Sequence, residues 1–111
     1  MTEKRSVLIA SEAGISIRSI ADIVDAVGAC LGVRRFLLTE ADLAAEFFDL
    51  RSGLAGELLQ KLVNYRVRTA IVVPARESYG ERIVELAREH DSHPLIRFVG
   101  SRDEAVAWLS R

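Results

Sequence analysis

Short apolar runs alternate along the chain with longer stretches in which apolar residues recur every three or four positions. Four of the runs are nearly continuous and flanked by polar residues, which is typical of strands covered on both faces of a sheet. We predict these strands at Ser6–Ala10, Arg34–Thr39, Arg68–Pro74 and Leu95–Val99. Pro74 ends the third strand, because proline cannot donate a hydrogen bond to a neighbouring strand.

Helical periodicity fills the intervals between the predicted strands. The predicted helices run from Ile20 to Leu31, from Ser52 to Asn64, from Ser78 to about His90 and from Ser101 to Leu109. We expect Gly32 to stop the first of them.

Three polar pairs mark helix starts in this pattern. Ser78 with Glu81 and Ser101 with Glu104 have the spacing of a capping box. Thr39, followed by Asp42, predicts a further short helix that runs through Phe47 and Phe48.

Strand and helix thus alternate four times, which is the rhythm of parallel strands joined by right-handed crossovers. We predict one α/β domain over residues 1–111, with a four-stranded, mostly parallel sheet packed against helices. A chain of 111 residues has room for one core.

Composition narrows the possible partners. Half of the residues are hydrophobic and 28% are charged, which suits a globular domain. The formal net charge is −1, and the basic residues, all but two of them arginine, are scattered in sequence, so we expect no nucleic-acid partner. The mean hydropathy of +0.16 is high for a short chain and leaves apolar surface for a protein partner or for self-association.

The single cysteine, Cys30, excludes an internal disulfide and fits a reducing compartment. No apolar run approaches the roughly 20 residues that span a bilayer. The polar start from Met1 to Arg5 does not resemble a signal peptide. We therefore expect a cytoplasmic protein without membrane contact.

Candidate chemistry is sparse. His90, Asp91 and His93 lie together before Pro94, but no second group of ligands completes a metal site, so we interpret them as structural or solvated residues. Cys30 lies among apolar residues and is expected in the core. No phosphate-binding glycine loop and no catalytic serine motif occurs. We accordingly expect no metal, no cofactor and no catalytic residues.

One segment is richer in functional side chains than a simple surface loop requires. Its candidate residues are Phe47, Phe48, Asp49, Ser52, Gly53, Gly56, Glu57, Gln60 and Lys61. Two adjacent aromatic residues do not both point inward easily, so one is expected at the surface or over a groove. Ser52 is expected to cap the following helix, and a phosphate there would be stabilised by the helix N-terminus. The two glycines permit close packing of the helix on the sheet or close approach of a partner.

The run from Phe47 to Lys61, continued to Val72, resembles the signature of a bacterial family, domain of unknown function 4180. The resemblance extends from about Ile20 to Leu109. It implies a small cytoplasmic domain of about this length and assigns no biochemical role.

A shorter stretch is similar to the STAS (sulphate transporter and anti-sigma factor antagonist) domains. Ser52, Gly53 and Leu54 match in register, and Asp49 is displaced by one residue. In those domains a serine at a helix N-terminus is phosphorylated by a partner kinase, so the resemblance implies a STAS-like fold and a phosphorylation switch at Ser52.

Two functions remain open from the sequence. The first is a non-enzymatic regulatory or protein-interaction module that works through the Phe47–Lys61 segment. The second is a small enzyme or ligand-binding domain with its site at the carboxyl ends of the strands, where open α/β sheets bind ligands. The candidates for that site are Thr39, Glu40, Arg76, Tyr79 and Ser101. A deep polar pocket would favour the second function, and a shallow apolar groove beside Ser52 would favour the first.

Overall fold

The computed structural model describes residues 6–111 and places four strands and five α-helices among them. The strands are β1 (Leu8–Ile9), β2 (Arg35–Thr39), β3 (Arg68–Val72) and β4 (Ile96–Val99). The helices are α1 (Ala10–Ala13), α2 (Ile20–Cys30), α3 (Leu54–Asn64), α4 (Glu81–Glu89) and α5 (Arg102–Leu109). None of the helices in the described part of the chain has the length and apolar character that crossing a bilayer requires.

The four strands form one parallel sheet in the order β1-β2-β3-β4, as the alternating pattern predicts. In its register, Leu37 pairs with Ala70 and Ile71 pairs with Phe98. The strand order follows the chain order without a reversal. Within residues 6–111 the sheet therefore lacks the switch point at which doubly wound α/β folds open a ligand crevice.

The larger core lies on the face of the sheet that α2, α3 and α4 cover. Phe36, Leu38 and Ile71 extend from the strands and pack with side chains such as Ile23 and Leu58. Crossovers of one hand between sequential neighbouring strands put their helices on one side, which explains why these three helices share a face.

The smaller core lies on the opposite face, which α5 covers. Leu37 and Ala70 pack there against Trp108 and Leu109. Because odd and even residues of a strand point to opposite faces, strands with both sets apolar are covered on both sides. This coverage of both faces of the sheet explains the near-continuous apolar runs in the sequence.

The first strand is shorter than predicted. It covers Leu8–Ile9 rather than Ser6–Ala10, and Ala10 begins the single helical turn α1. Gly14, at φ 71°, closes that turn with its N–H on the Ala10 carbonyl, since glycine adopts the left-handed conformation without strain.

The end of α2 also differs from the prediction. The left-handed residue that redirects the chain into β2 is Arg34 (φ 61°), not Gly32. Arg66 (φ 54°) has the same role before β3. Both arginines occupy a conformation that side chains other than glycine rarely adopt.

The predicted short helix through Phe48 is wrong. Three 3₁₀ turns, Glu40–Asp42, Ala45–Phe48 and Leu50–Ser52, replace it. The interruption falls at Leu43, which forms a parallel bridge with Ile17 and so has an extended backbone. The Asp42 carboxylate still accepts hydrogen bonds from the Thr39 N–H (2.8 Å) and hydroxyl (3.0 Å).

One capping prediction is confirmed in part and another is wrong. Ser101 is the N-cap of α5, where its hydroxyl accepts a hydrogen bond from the Glu104 N–H at 3.2 Å. Ser78 does not cap α4, because Gly80 (φ 97°) precedes that helix and the Ser78 hydroxyl donates instead to the Ala75 carbonyl.

Candidate functional site

The segment between β2 and α3 separates its two adjacent aromatic residues. Phe47 is fully buried in the larger core, which removes it from the surface. Phe48 is half-buried, and its ring stacks on Tyr79 with centroids 3.9 Å apart and planes within 11°. The two rings come from the loops that follow β2 and β3, which meet at the carboxyl edge of the sheet.

A hydrogen bond holds the tyrosine ring of this stack in place. The Tyr79 hydroxyl donates to the Glu40 carboxylate at 2.6 Å. This bond, with smaller contributions from burial and from the carboxylate charge, raises the pKa of Tyr79 above its ordinary value. The tyrosine is thereby held as a neutral donor, with its ring fixed against Phe48.

An open groove of about 340 Å³ has both stacked rings in its lining. Leu50 and Arg51 contribute from the loop after β2, and Gly80 and Arg82 contribute from the segment that leads into α4. Exposed charged groups share the lining with the rings, and the lining as a whole is more polar than apolar. It is open to solvent along its length, so it offers a surface rather than an enclosed chamber.

Ser52 directly follows Arg51 of this groove, and it precedes the N-cap of α3 instead of occupying that position as predicted. Gly53, at φ 81°, occupies the N-cap position of α3. The exposed Ser52 hydroxyl donates to the Glu46 carbonyl at 2.6 Å and accepts from the Leu54 N–H at 3.2 Å. The expected bond from a first-turn N–H is therefore present, although a glycine is the cap.

Asp49 stabilises the preceding turn. Its carboxylate accepts from the Arg51 backbone N–H at 3.1 Å, and the Arg51 guanidinium lies 3.4 Å away. Both side chains are largely exposed, so this ion pair contributes little stability.

The polar candidates of α3 divide between two surfaces. Gly56, Glu57 and Gln60 are exposed on its outer face, away from the sheet. An added Cβ at Gly56 would meet nothing within 4 Å, so the interpretation of this glycine as a packing contact with the sheet is wrong. Lys61 instead lines a separate groove between α3 and α2.

The candidates at the carboxyl ends of the strands come together only in part. Glu40 and Tyr79 meet, as described above. Thr39 bonds to Asp42, Arg76 donates to the Phe98 carbonyl at 3.3 Å, and Ser101 caps α5. Three of the five side chains therefore form hydrogen bonds with other parts of the fold and do not line a common pocket.

Both histidines contact the backbone of the domain, and the cysteine is buried in its core. His93 Nδ1 accepts from the Leu95 and Ile96 N–H groups at 3.0 and 3.1 Å, and His90 Nδ1 lies 2.8 Å from the Leu86 carbonyl. Cys30 is buried, as predicted, and burial raises its pKa to about 11. Residues 6–111 contain no group of three or more side chains suited to a metal ion.

An arginine cluster that the sequence analysis missed anchors α5. The Arg68 guanidinium lies 4.0 Å from the centre of the Trp108 ring, and that of Arg97 lies 5.2 Å away. Arg68 donates to the Trp108 carbonyl at 2.9 Å, and Arg35 donates to the Leu109 carbonyl. Cations at a helix C-terminus are favourable because they offset the partial negative charge of its last carbonyls. The available signal was an arginine near the start of β2, β3 and β4, but only the register shows that these side chains converge.

The fold and this surface define a class: an α/β domain with a singly wound parallel sheet and, at its carboxyl edge, an open groove lined in part by two stacked aromatic rings. The model of the family described as domain of unknown function (DUF4180) matches residues 2–109. The chain belongs to that family, as the Phe47–Val72 signature predicts. No curated protein and no solved structure matches the chain.

Proposed function

We propose that this domain is a non-enzymatic interaction module that holds an extended segment of a partner protein in the groove beside Ser52. The observation that carries the proposal is the Phe48–Tyr79 stack, which places two aromatic rings in the lining of an open and mostly polar groove. Aromatic side chains held rigidly at a surface supply contact area at low entropic cost. An apolar side chain of the partner would contact these rings, and the charged groups around them would set its register.

The proposed surface also includes the outer face of α3. Gly56, Glu57 and Gln60 are exposed on that helix. Gly56 offers open backbone without an internal packing reason, and glycine in a helix interior costs about 1 kcal/mol relative to alanine. Close approach of a partner would offset that cost.

Ser52 is the proposed switch, following the STAS resemblance. A phosphoryl group on its oxygen would remove the proton that it donates to the Glu46 carbonyl. The added charge would be favoured by the first N–H groups of α3 but would repel a partner seated beside it if that partner is acidic. We further place this module in the bacterial cytoplasm, where its lone cysteine stays reduced.

The test compares capture of proteins by immobilised variants, followed by binding measurements with the purified partner. Arg82→Glu changes the rim of the groove, and Arg102→Glu makes the same change at the exposed start of α5 as a matched control. We expect Arg82→Glu and Ser52→Asp to lose a partner that wild type, Ser52→Ala and Arg102→Glu retain. If every variant that folds binds the same partner equally, the groove is not the working surface.

A small-molecule site at the carboxyl edge is the second candidate, because Glu40 and Tyr79 meet there at 2.6 Å. The strand order weighs against it, since the sheet has no reversal at which a ligand crevice would open. A metabolite that raises the melting temperature of the wild type but not of Tyr79→Phe would favour this candidate over the interaction module.

A further inference from the structure

The turns that lead into β2 and β3 each place an exposed arginine in the left-handed backbone conformation. Arg34 (φ 61°) precedes β2, and Arg66 (φ 54°) precedes β3. Side chains as long as arginine are uncommon at such angles, and strained positions of this kind cluster where a protein binds a ligand. Glycine would relieve the strain at both positions. The presence of an arginine at each of them therefore needs a cause.

Contacts within the fold supply that cause only in part. Nη1 of Arg34 donates to the Tyr65 carbonyl at the end of α3, and its other side-chain N–H groups have no acceptor within residues 6–111. The Arg66 guanidinium forms neither a hydrogen bond nor an ion pair in the same part of the chain. The folded domain should therefore lose little without the Arg66 guanidinium, and its N–H groups are available to a ligand.

The sheet brings the two arginines to one place. Because β2 and β3 are neighbouring parallel strands, the turns before them lie side by side at the amino edge of the sheet, where the Arg68 N–H donates to the Arg34 carbonyl at 2.9 Å. Arg35 and Arg68 pair in the register just inside this edge. Both donate to uncharged carbonyls at the end of α5 and so keep their positive charge. Arginines that are scattered in the sequence thus gather in one small area.

The local charge and the charge of the whole chain together indicate a compact anion. The formal net charge is −1, so the chain as a whole does not attract a long polyanion. A single small group responds mainly to the local arginines, because salt screens charges beyond about 10 Å. The planar guanidinium fork matches pairs of phosphate oxygens. A phosphate monoester offers about two negative charges and three acceptor oxygens to such forks.

We propose that Arg34 and Arg66 bind the phosphate group of a phosphorylated ligand at the amino edge of the sheet. Their available N–H groups donate to the phosphate oxygens, and Arg35 and Arg68 add positive potential beside them. A free metabolite and a phosphorylated protein side chain present the same group, and the experiment below separates these two sources. The site lies at the opposite end of the strands from the groove beside Ser52, so either proposal can fail alone.

The experiment titrates the uniformly ¹⁵N-labelled full chain with inorganic phosphate, adenosine monophosphate and a phosphoserine peptide at constant ionic strength. We expect saturable backbone amide shifts at Arg34, Tyr65 and Arg66. Tighter binding of adenosine monophosphate than of the peptide would assign the site to free metabolites, and the reverse order would assign it to phosphorylated proteins. Shifts that chloride reproduces, or that fall outside the amino edge, would overturn the proposal.

Glycine variants separate binding from folding. Arg66→Gly removes the guanidinium and suits the left-handed backbone, so it should keep or raise the melting temperature while weakening phosphate binding about tenfold or more. Arg34→Gly should weaken binding similarly, and Arg66→Lys, which keeps the charge without the fork, should weaken it less. Arg102→Gln is the control, because Arg102 is exposed at the start of α5, away from this edge. Unchanged phosphate affinity in both glycine variants would contradict the assignment.

Discussion

Helices α2 and α4 cover the same face of the same sheet, yet they present opposite surfaces to solvent. The exposed residues of α4 are charged: Glu81, Arg82, Glu85, Arg88 and Glu89. Those of α2 are mostly apolar or small: Ile20, Ala21, Val24, Asp25, Gly28 and Ala29. Their inner faces are alike, with Ile23 and Ile83 fully or almost fully buried. The inner residues explain why each helix packs on the sheet, so packing on the sheet fixes the inner residues of a helix and leaves its outer residues open to differ.

The inner faces of α2 and α4 should lose similar stability when a buried isoleucine in each is shortened to alanine. Ile23→Ala and Ile83→Ala each leave a cavity in the closed core, so each should lower the free energy of unfolding by about 2–5 kcal/mol. Urea unfolding measured by circular dichroism gives the values. A loss below about 1 kcal/mol for one helix and not the other would show that the two are not equivalent on the sheet.

The reactivity of the Cys30 thiol gives a chemical measure of the same burial. With its pKa raised from 9.0 to about 11 by burial, its thiolate fraction at mildly alkaline pH falls about a hundredfold. We expect Cys30 in the native protein to react with a thiol reagent far more slowly than in the urea-unfolded chain. Equal rates in the two states would mean that the inner side of α2 opens to solvent.

The loop that follows α4 predicts a loss of stability at acidic pH. Burial, and then the charge of neighbouring His90, lower the pKa of His93 below 6.5, and its Nδ1 accepts two backbone N–H groups. The unfolded chain therefore binds the proton first as pH falls, so stability is lost below about pH 6.5. His93→Asn keeps an acceptor without titrating, and its stability should fall less between about pH 7 and pH 5.5. Parallel pH curves for the two proteins would contradict this assignment.

Gly28 and Gly56 compare the outer faces of α2 and α3. Because a Cβ at either helical position meets nothing within 4 Å, Gly28→Ala and Gly56→Ala should each raise the free energy of unfolding by about 0.5–1 kcal/mol. Urea unfolding measured by circular dichroism gives the values. A loss of stability in either variant would show that its outer face packs against another part of the chain.

The sequence predicts the parts of this fold that depend on local pattern. The apolar run Ala70–Val73 and the leucines of α3 are recognisable because a buried strand or helix face repeats at a fixed period. Capping was less predictable, since Gly80 and Gly53 displaced Ser78 and Ser52 from the cap positions through backbone conformations that side-chain spacing does not encode.

The sequence predicts only one of the two segments that form the candidate site. The Phe47–Lys61 segment stands out by composition. Its aromatic stack also requires Tyr79, which lies 31 residues from Phe48 and contacts it because β2 and β3 end at the same edge of the sheet. The same limit applies to the α2–α3 groove: the sequence gives the apolar positions of α2 without showing which of them the sheet leaves uncovered.

The most direct measurement of the proposed working surface adds the purified partner to the uniformly ¹⁵N-labelled chain and follows backbone amide chemical shifts. The account predicts shifts at Phe48, Leu50, Arg51, Tyr79 and Gly80, which line the groove, with the outer residues of α2 unchanged. Shifts that are absent from the groove, or that fall on α2, would contradict the assignment of the groove as the working surface.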